Sequence, residues 1–538
     1  MRRLFGITLR PNAASGWRST HMQTDVSKGV EQLPPTLTPN PDNSNGRLPK
    51  VAVSITAWLA ERLAPTRARG ITDRRAQTIT VCAVIFVVAL GVRIFHRQDR
   101  SFEIEQKDSQ LMNLGRQYKH EVRRMYAEGG ILFPRQHDPS DARMLLHPPG
   151  YAILMAAIYG NDPGNHSYEG MMLIQITCDA VAAVAVFFIA AELLPFAVAV
   201  IAGLLVAISP HLGYYSLWFS PDTLSALPIL IAVYLIIRTR KRPRIITAVS
   251  AGVMIGVSCW LRSNALLLAP MLAVMMLLVT EVKKRWKYAL AMVVTTIIVI
   301  SPITIRNWAV FHRFIPLTLA SGLNLIQGIG EYDKEGRFGM PVRDPDADLK
   351  DVEWHGRPDY GQSLWDPDGI ERDKYRFARG LEVVRSNPGW FAGVMLRRAI
   401  FMLRYNESGA HDWPINTATV PVVLKAPGSF LLTRYARAAI RVLQRNLFRT
   451  YSMLPVVMIG IALLALGGRG KALIILLAAP VYYLCLHSAF STEYRYVLAI
   501  HYFLFIAAAV AFYCMGLAII EGARRIMTRV NLRLSLSD

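Results

Sequence analysis

Three arginines stand at the ends of long apolar runs, in Leu261-Arg262-Ser263-Asn264, Ile305-Arg306-Asn307-Trp308 and Glu493-Tyr494-Arg495-Tyr496. A guanidinium presents a planar fork of donors that matches phosphate oxygens, so arginines at a membrane surface suit a lipid headgroup or a lipid-linked substrate. Snorkelling to the interface is the simpler use of one such arginine, and three on one face weigh against it. Two carboxylates complement them. Asp108 lies in Lys107-Asp108-Ser109-Gln110, opening a helix-compatible run through Tyr126, and Asp222 follows Ser220-Pro221. A carboxylate within hydrogen-bond reach of a hydroxyl can take its proton as the oxygen attacks. The plainer readings are a solvated loop acid for Asp108 and an acid stabilising a helix N-terminus for Asp222. In His147-Pro148-Pro149-Gly150-Tyr151, two prolines fix the backbone direction and would hold His147 at the interface. Asp179, near Gln175, falls inside an apolar run, where an acid is either functional or a polar contact between helices.

The elements that must position these residues are membrane helices. The chain has 538 residues, 53% hydrophobic and 18% charged, against about a quarter charged in a soluble globular protein. Its 60 Lys+Arg against 38 Asp+Glu give a net charge of +22, but the basic residues flank apolar blocks as a bilayer would place them, which excludes nucleic acid as the partner. The five cysteines (Cys82, Cys178, Cys259, Cys485, Cys514) lie in apolar stretches and suit small hydrophobes rather than disulfides or metal ligands. Runs near the roughly 20 residues needed to span a bilayer are Gln77–Ile94, Met171–Leu194, Phe196–Leu217, Leu224–Ile237, Ile245–Leu261, Ala265–Thr280, Tyr288–Ile305, Met453–Leu466, Ala472–His487 and Val497–Ile520. The expectation is an all-α polytopic membrane protein with about ten spans, up to thirteen. Trp390–Met402 and Pro414–Leu432, interrupted by Arg397, Arg398 and Lys425, read as interfacial helices.

Basic loops at Arg238–Arg244 and Lys283–Lys287, with Arg67, Arg69, Arg74 and Arg75 before the first span and Arg524 and Arg525 after the last, orient the chain with both termini in the cytoplasm. Two long segments then fall outside, residues 97–170 and 306–450. The first holds ten acids and nine Lys/Arg, so it lacks the positive bias of the inner loops. Loops this long are usually functional. The expected organisation is a cytoplasmic N-terminal extension over 1–76, with an amphipathic pattern over 51–64. A catalytic membrane module follows over 77–305, an outer segment over 306–450, C-terminal membrane helices over 451–522 and a cytoplasmic tail over 523–538.

Taken in order, these residues resemble the GT-C integral-membrane glycosyltransferases. The nearest type is the bacterial relatives of protein O-mannosyltransferases and of lipid A aminoarabinose transferases, members of a glycosyltransferase family 39-like group. The resemblance runs from about Gln77 to Gly522. It rests on Asp108, His147-Pro148-Pro149-Gly150-Tyr151, Asp222, Leu261-Arg262-Ser263-Asn264 and Ser301-Pro302 with Ile305-Arg306-Asn307-Trp308. Pro316-Leu317-Thr318, Gly322-Leu323-Asn324-Leu325 and Glu493-Tyr494-Arg495-Tyr496 complete it. Such enzymes move a sugar from a polyisoprenyl-phosphate donor to a lipid, glycan or protein acceptor outside the cytoplasm. The resemblance implies Asp108 as base, Asp222 as a second catalytic acid, and inversion at the anomeric carbon. Donor binding would then fall to His147, Tyr151, Arg262, Arg306, Asn307, Glu493 and Arg495. The chain departs from the aminoarabinose transferases in having Leu146-His147 before the paired prolines, where they carry an acid and a base. Ser109 stands where many protein O-mannosyltransferases have a second acid. No cofactor is firmly expected: a divalent metal stays open but has no support, since no His/Asp/Glu cluster has metal-ligand spacing and a lone donor phosphate does not demand a divalent ion. The competing expectations are a carrier or lipid flippase, which would need polar mid-membrane residues and often internal repeats, and an inactive scaffold for envelope assembly.

Overall fold

The computed structural model describes residues 50–65, 71–106, 110–130, 132–161, 169–405, 424, 431–491 and 493–534. Regular structure among these is helical throughout. The order is α1 (Lys50–Arg62), α2 (Ile71–Asp99), α3 (Ser101–Glu105), α4 (Gln110–Ala127), α5 (Gly150–Tyr159), α6 (Glu169–Leu193), α7 (Phe196–Ile208), α8 (Pro210–Tyr215), α9 (Asp222–Lys241) and α10 (Ile245–Leu261). There follow α11 (Leu268–Val279), α12 (Arg285–Phe311), α13 (Ser321–Gly330), α14 (Asp344–His355), α15 (Gly369–Ser386), α16 (Pro388–Met402), α17 (Leu431–Leu447), α18 (Thr450–Leu466), α19 (Gly470–Ser488) and α20 (Leu498–Leu534).

Among the described residues, six helices are long and apolar enough to cross a membrane, or seven if the bent pair α17–α18 counts as one span. The chain is a multi-pass membrane protein. The six contain the expected runs at 77–94, 224–237, 288–305, 472–487 and 497–520 and all but the last residue of 171–194, while α7, α10 and the 263–279 helix are shorter apolar helices. The count of about ten is therefore not reached by length and composition. The run expected over Phe196–Leu217 shows why. Pro210 has no N–H to continue α7, so the chain breaks at Ser209, whose side chain accepts from the Leu212 N–H at 3.5 Å and starts α8 afresh. That break turns the chain sideways into the 216–221 loop and so delivers Asp222 to the first turn of α9.

The apolar core runs through α6, α7, α9, α10, α19 and α20. Close approach between helices depends on small residues, as bilayer packing favours. A Cβ on Gly252 would meet the Met292 carbonyl at 2.3 Å, and one on Gly256 would meet Val299 Cγ1 at 2.5 Å. This Gly-x-x-x-Gly seam sets α10 directly against α12. Residues 306–402 hold together differently. Asp351 is fully buried, pairs with Arg372 at 2.7 Å and also with Arg376. Asp373 accepts from the N–H groups of Gly322 and Leu323 at 3.1 and 3.0 Å, securing the start of α13. Within the expected interfacial helix at 390–402, Arg398 is buried and donates to the Ser488 carbonyl at 3.1 Å, tying α16 to α19. Most of the other expected interfacial stretch, 414–432, lies outside the described residues, as do residues 1–49.

Candidate active site at one end of the helix bundle

The site lies within the unit Val53–Asp538, where the ends of α9 and α10 meet the short turn that leads into α20. Asp222, the first residue of α9, is 5% exposed. Its Oδ1 lies 2.8 Å from Arg262 Nη2, and its Oδ2 accepts from the Ser220 hydroxyl at 2.8 Å. The N-terminus of α9 adds a favourable dipole for the carboxylate. Arg262 caps the C-terminal end of α10 and lies over the Tyr496 ring at 4.4 Å. Arg495 lies 5.0 Å from the same ring and 5.4 Å from that of Trp218. Arg495 Nη2 donates to Glu493 Oε1 at 2.6 Å and to the Tyr496 hydroxyl at 3.2 Å. Two guanidinium groups thus share one aromatic platform, an arrangement that cation–π attraction stabilises.

The balance of donors and acceptors here is uneven. Arg495 is 6% exposed, yet its Nε and Nη1 have no hydrogen-bond partner among the described residues. Leaving charged donors dry and unpaired is costly, so the site has unspent capacity for an anion.

His147 borders this cluster. Its Nε2 lies 3.2 Å from Gln117 Oε1, and its ring sits 4.9 Å from that of Tyr118 on α4. Burial, then the charges of Arg262, Arg495 and Arg124, push the imidazole down to about 3. His147 is therefore neutral at ordinary pH and serves as a hydrogen-bonding group rather than a cation. The paired prolines cap α5, and Gly150 is required where α5 begins. A Cβ there would meet the Trp260 carbonyl at 2.5 Å, so only glycine lets this turn sit against the end of α10 beside Arg262. Tyr151 is fully buried. Its hydroxyl donates to Gln175 Oε1 at 2.7 Å, and the Gln175 amide donates to the carbonyls of Ser216 and Trp218 at 3.1 and 2.6 Å. Tyr151 and Gln175 together fix the loop that carries Trp218 and Ser220.

Arg306 belongs to a second group. It lines a narrow cleft together with Glu121, Arg124, Glu128 and His147. Its Nε and Nη2 donate to Asn307 Oδ1 at 3.0 and 2.8 Å. The Asn307 amide donates to the carbonyls of Ile315 and Leu317 at 2.8 and 3.1 Å, closing the turn after α12. Burial raises the Glu121 carboxyl to about 8 against the opposing pull of Arg124 and Arg306. His147 is thus shared: it lines the pocket and feels the charges of Arg262 and Arg495. Among the described residues, no group of three His, Cys, Asp or Glu is placed to hold a metal ion.

The structure brings Asp222, Arg262, Glu493 and Arg495 into one cluster and His147 to its edge. It sets Arg306 and Asn307 in the neighbouring pocket, and Tyr151 beneath the loop. Asp108 lies outside the described residues, two positions before α4 begins. Sequence reasoning missed Tyr496, Trp218, Glu121 and Arg124. A signal for the last two existed: Gln117, Glu121, Arg124 and Glu128 fall at i, i+4, i+7 and i+11, one face of a helix.

Residues 147–305 match the family model described as dolichyl-phosphate-mannose-protein mannosyltransferase. Among solved structures, the chain is similar to the archaeal oligosaccharyltransferase AglB from Archaeoglobus fulgidus, in complex with an inhibitory peptide and a dolichol-phosphate. The identity is 15%, with 84% of this chain and 52% of that chain covered and a TM-score of 0.46; the chain thus spans about half the length of that protein. It is also similar to ArnT from Cupriavidus metallidurans bound to undecaprenyl phosphate, at 14% identity over 82% of this chain and 77% of that one, with a TM-score of 0.30. No curated protein matches the chain. The matched segment begins at His147, passes through Asp222 and Arg262, and ends beside Arg306, so that part of the site lies within the stretch of the chain that is similar to this family.

Proposed function

We propose that this protein transfers a sugar from a polyisoprenyl-phosphate donor to an acceptor on the non-cytoplasmic face of a membrane, in bacteria the periplasmic face of the inner membrane. Asp108 is the base. It takes the proton of the acceptor hydroxyl as that oxygen bonds to the anomeric carbon. The bond from that carbon to the phosphate oxygen breaks on the opposite side, and the configuration inverts. The leaving phosphate gains charge in that step, so preorganised donors aimed at it lower the barrier.

The observation that carries the reading is Arg495: a buried guanidinium with two unpartnered nitrogens beside Arg262. Asp222 acts with them, because its salt bridge fixes the direction of the Arg262 fork. Glu493 and Tyr496 do the same for Arg495. His147, neutral, has its one N–H on Gln117 Oε1, which leaves Nδ1 to accept from a sugar hydroxyl, and the narrow cleft of Arg306, Glu121 and Arg124 takes a single hydroxyl. Asn307 and Tyr151 act indirectly, by holding the turn and the loop beneath. The acceptor is a lipid, a glycan or a protein.

A carrier would need a polar path through mid-membrane. The intramembrane acid Asp179 instead spends both oxygens on Arg93 and Tyr502, which weighs against transport. The deciding experiment incubates purified protein with a panel of polyprenyl-phosphate sugars and envelope fractions, with Asp108→Asn in parallel. Consumption of one donor by the native protein, lost about 10²–10⁴-fold in the variant at unchanged membrane insertion, is the expected result. Equal turnover by both proteins removes Asp108 as base, and turnover by neither returns the chain to the scaffold reading.

A further inference from the structure

Helix α17 carries charge in a pattern that the transfer reaction does not use. Its arginines at 434, 441 and 445 are exposed and, at spacings of seven and four, fall within about 40° of one another around the helix axis. Tyr435 and Val442, about 100° and 80° further round, and Leu443, on the side away from the arginines, are 67%, 58% and 48% exposed. The side opposite Tyr435 and Val442 is held by protein. Arg437 donates to Gln98 Oε1 at 3.0 Å and pairs with Asp99, and Gln444 donates to the Ile208 carbonyl at 3.0 Å. These contacts put α17 against the ends of α2 and α7, the end of the bundle from which α8 leads to Asp222. At its C-terminus α17 meets the apolar helix α18 at a bend of 72°. A bend of this size sets α17 well away from the direction of the apolar helix α18.

We propose that α17 is an anionic-lipid binding element. It lies in the headgroup layer of the leaflet bordering the active site. Tyr435, Val442 and Leu443 are set into the acyl boundary, and Arg434, Arg441 and Arg445 form a row that pairs with the phosphates of acidic phospholipids. The chemistry is the one expected of a basic amphipathic helix at an interface. Each arginine near a charged surface adds a similar increment of attraction. Arg437 cannot contribute, because Asp99 neutralises it. The partner is the bilayer itself, and the proposal stands whether or not the transferase reading does.

The test reconstitutes the full chain in vesicles of an equal mixture of phosphatidylcholine and phosphatidylglycerol. A trace of either lipid carries a photoreactive headgroup, and crosslinks are mapped by mass spectrometry. The phosphatidylglycerol probe is expected to label residues 431–447 in preference to the phosphatidylcholine probe. That preference should fall roughly tenfold in R434Q/R441Q/R445Q, whose substitutions lie on an exposed face. Raising the salt concentration should lower the same ratio in the unsubstituted protein, since exposed charges are screened. This arm holds even if the triple variant fails to insert. Absence of label on α17, equal labelling by the two probes, or a ratio indifferent to salt overturns the proposal.

Discussion

Two of the buried arginine–carboxylate groups in this molecule, one inside the bundle and one at its end, differ in whether their hydrogen bonding is complete. In the bundle, Arg93 donates through Nε to Asp179 Oδ2 at 2.6 Å, through Nη1 to the carbonyls of Ala89 and Ala207, and through Nη2 to that of Val206. Asp179 Oδ1 accepts from Tyr502. The two charged residues are fully buried and every nitrogen of the guanidinium is used. At the bundle end, Arg262 and Arg495 are held by Asp222 and Glu493, but Arg495 keeps two nitrogens unpartnered among the described residues. A saturated ionic group binds helices to one another and leaves nothing for a ligand; an unsaturated one leaves room for an anion. Burial is common to both; what sets Arg495 apart is that two of its nitrogens are unpartnered among the described residues, against one each in Arg376, Arg398 and Arg437.

Breaking the saturated group should have the largest effect. Asp179→Ala leaves Arg93 as an uncompensated buried charge. The expected cost is about 3–5 kcal/mol, read as a drop in thermal unfolding temperature in detergent, with the donor KM of surviving protein unchanged. If the variant melts normally but loses donor affinity, the two groups have been assigned the wrong way round.

Arg495→Ala should do the reverse. Hydrogen bonds to a charged group contribute about 1.5–3 kcal/mol each, so the donor KM should rise roughly ten- to a hundredfold while the unfolding temperature stays close to native. A fall in abundance alone would make Arg495 structural.

Smaller effects sharpen the boundary between the cluster and its pocket. The Glu121 carboxyl is raised from 4.5 to about 8 in the folded protein by burial. A raised folded-state pKa means that this contribution to stability is complete below about 4.5 and is lost as pH climbs through about 8. Glu121→Gln should flatten that decline in a series of melting curves, and an unchanged slope would show that another group causes it. The smallest change is expected at His147. With its imidazole held down at about 3 rather than 6.5, donor affinity should show no titration step near the ordinary histidine value. A step there that disappears in His147→Gln would overturn the neutral assignment.

Local features of the sequence already carried much of this. The apolar runs at 77–94 and 171–194 are helices because their hydrophobicity is continuous along the chain and needs no distant partner. The His147–Tyr151 motif announced a fixed turn, since proline and glycine constrain their own backbones. The Gln117, Glu121, Arg124 and Glu128 stripe was equally present in the sequence, but its meaning was not, because a polar helix face reads alike whether it meets water or a pocket. The break at Pro210 was also written in the chain. Its consequence, the delivery of Asp222 to Arg262, was not.

What the amino-acid order determined by itself is a helical, multi-pass membrane protein, the basic rims of its loops, and which residue types were available for phosphate and proton chemistry. These follow from properties of neighbouring residues, summed over a turn or a span. Tertiary structure alone decided which arginines are saturated. Arg93 and Asp179 are 86 residues apart, and Arg262 and the Tyr496 ring it lies over are 234 apart. Whether a buried donor finds an acceptor depends on how helices distant in sequence are packed, and no local pattern encodes that distance.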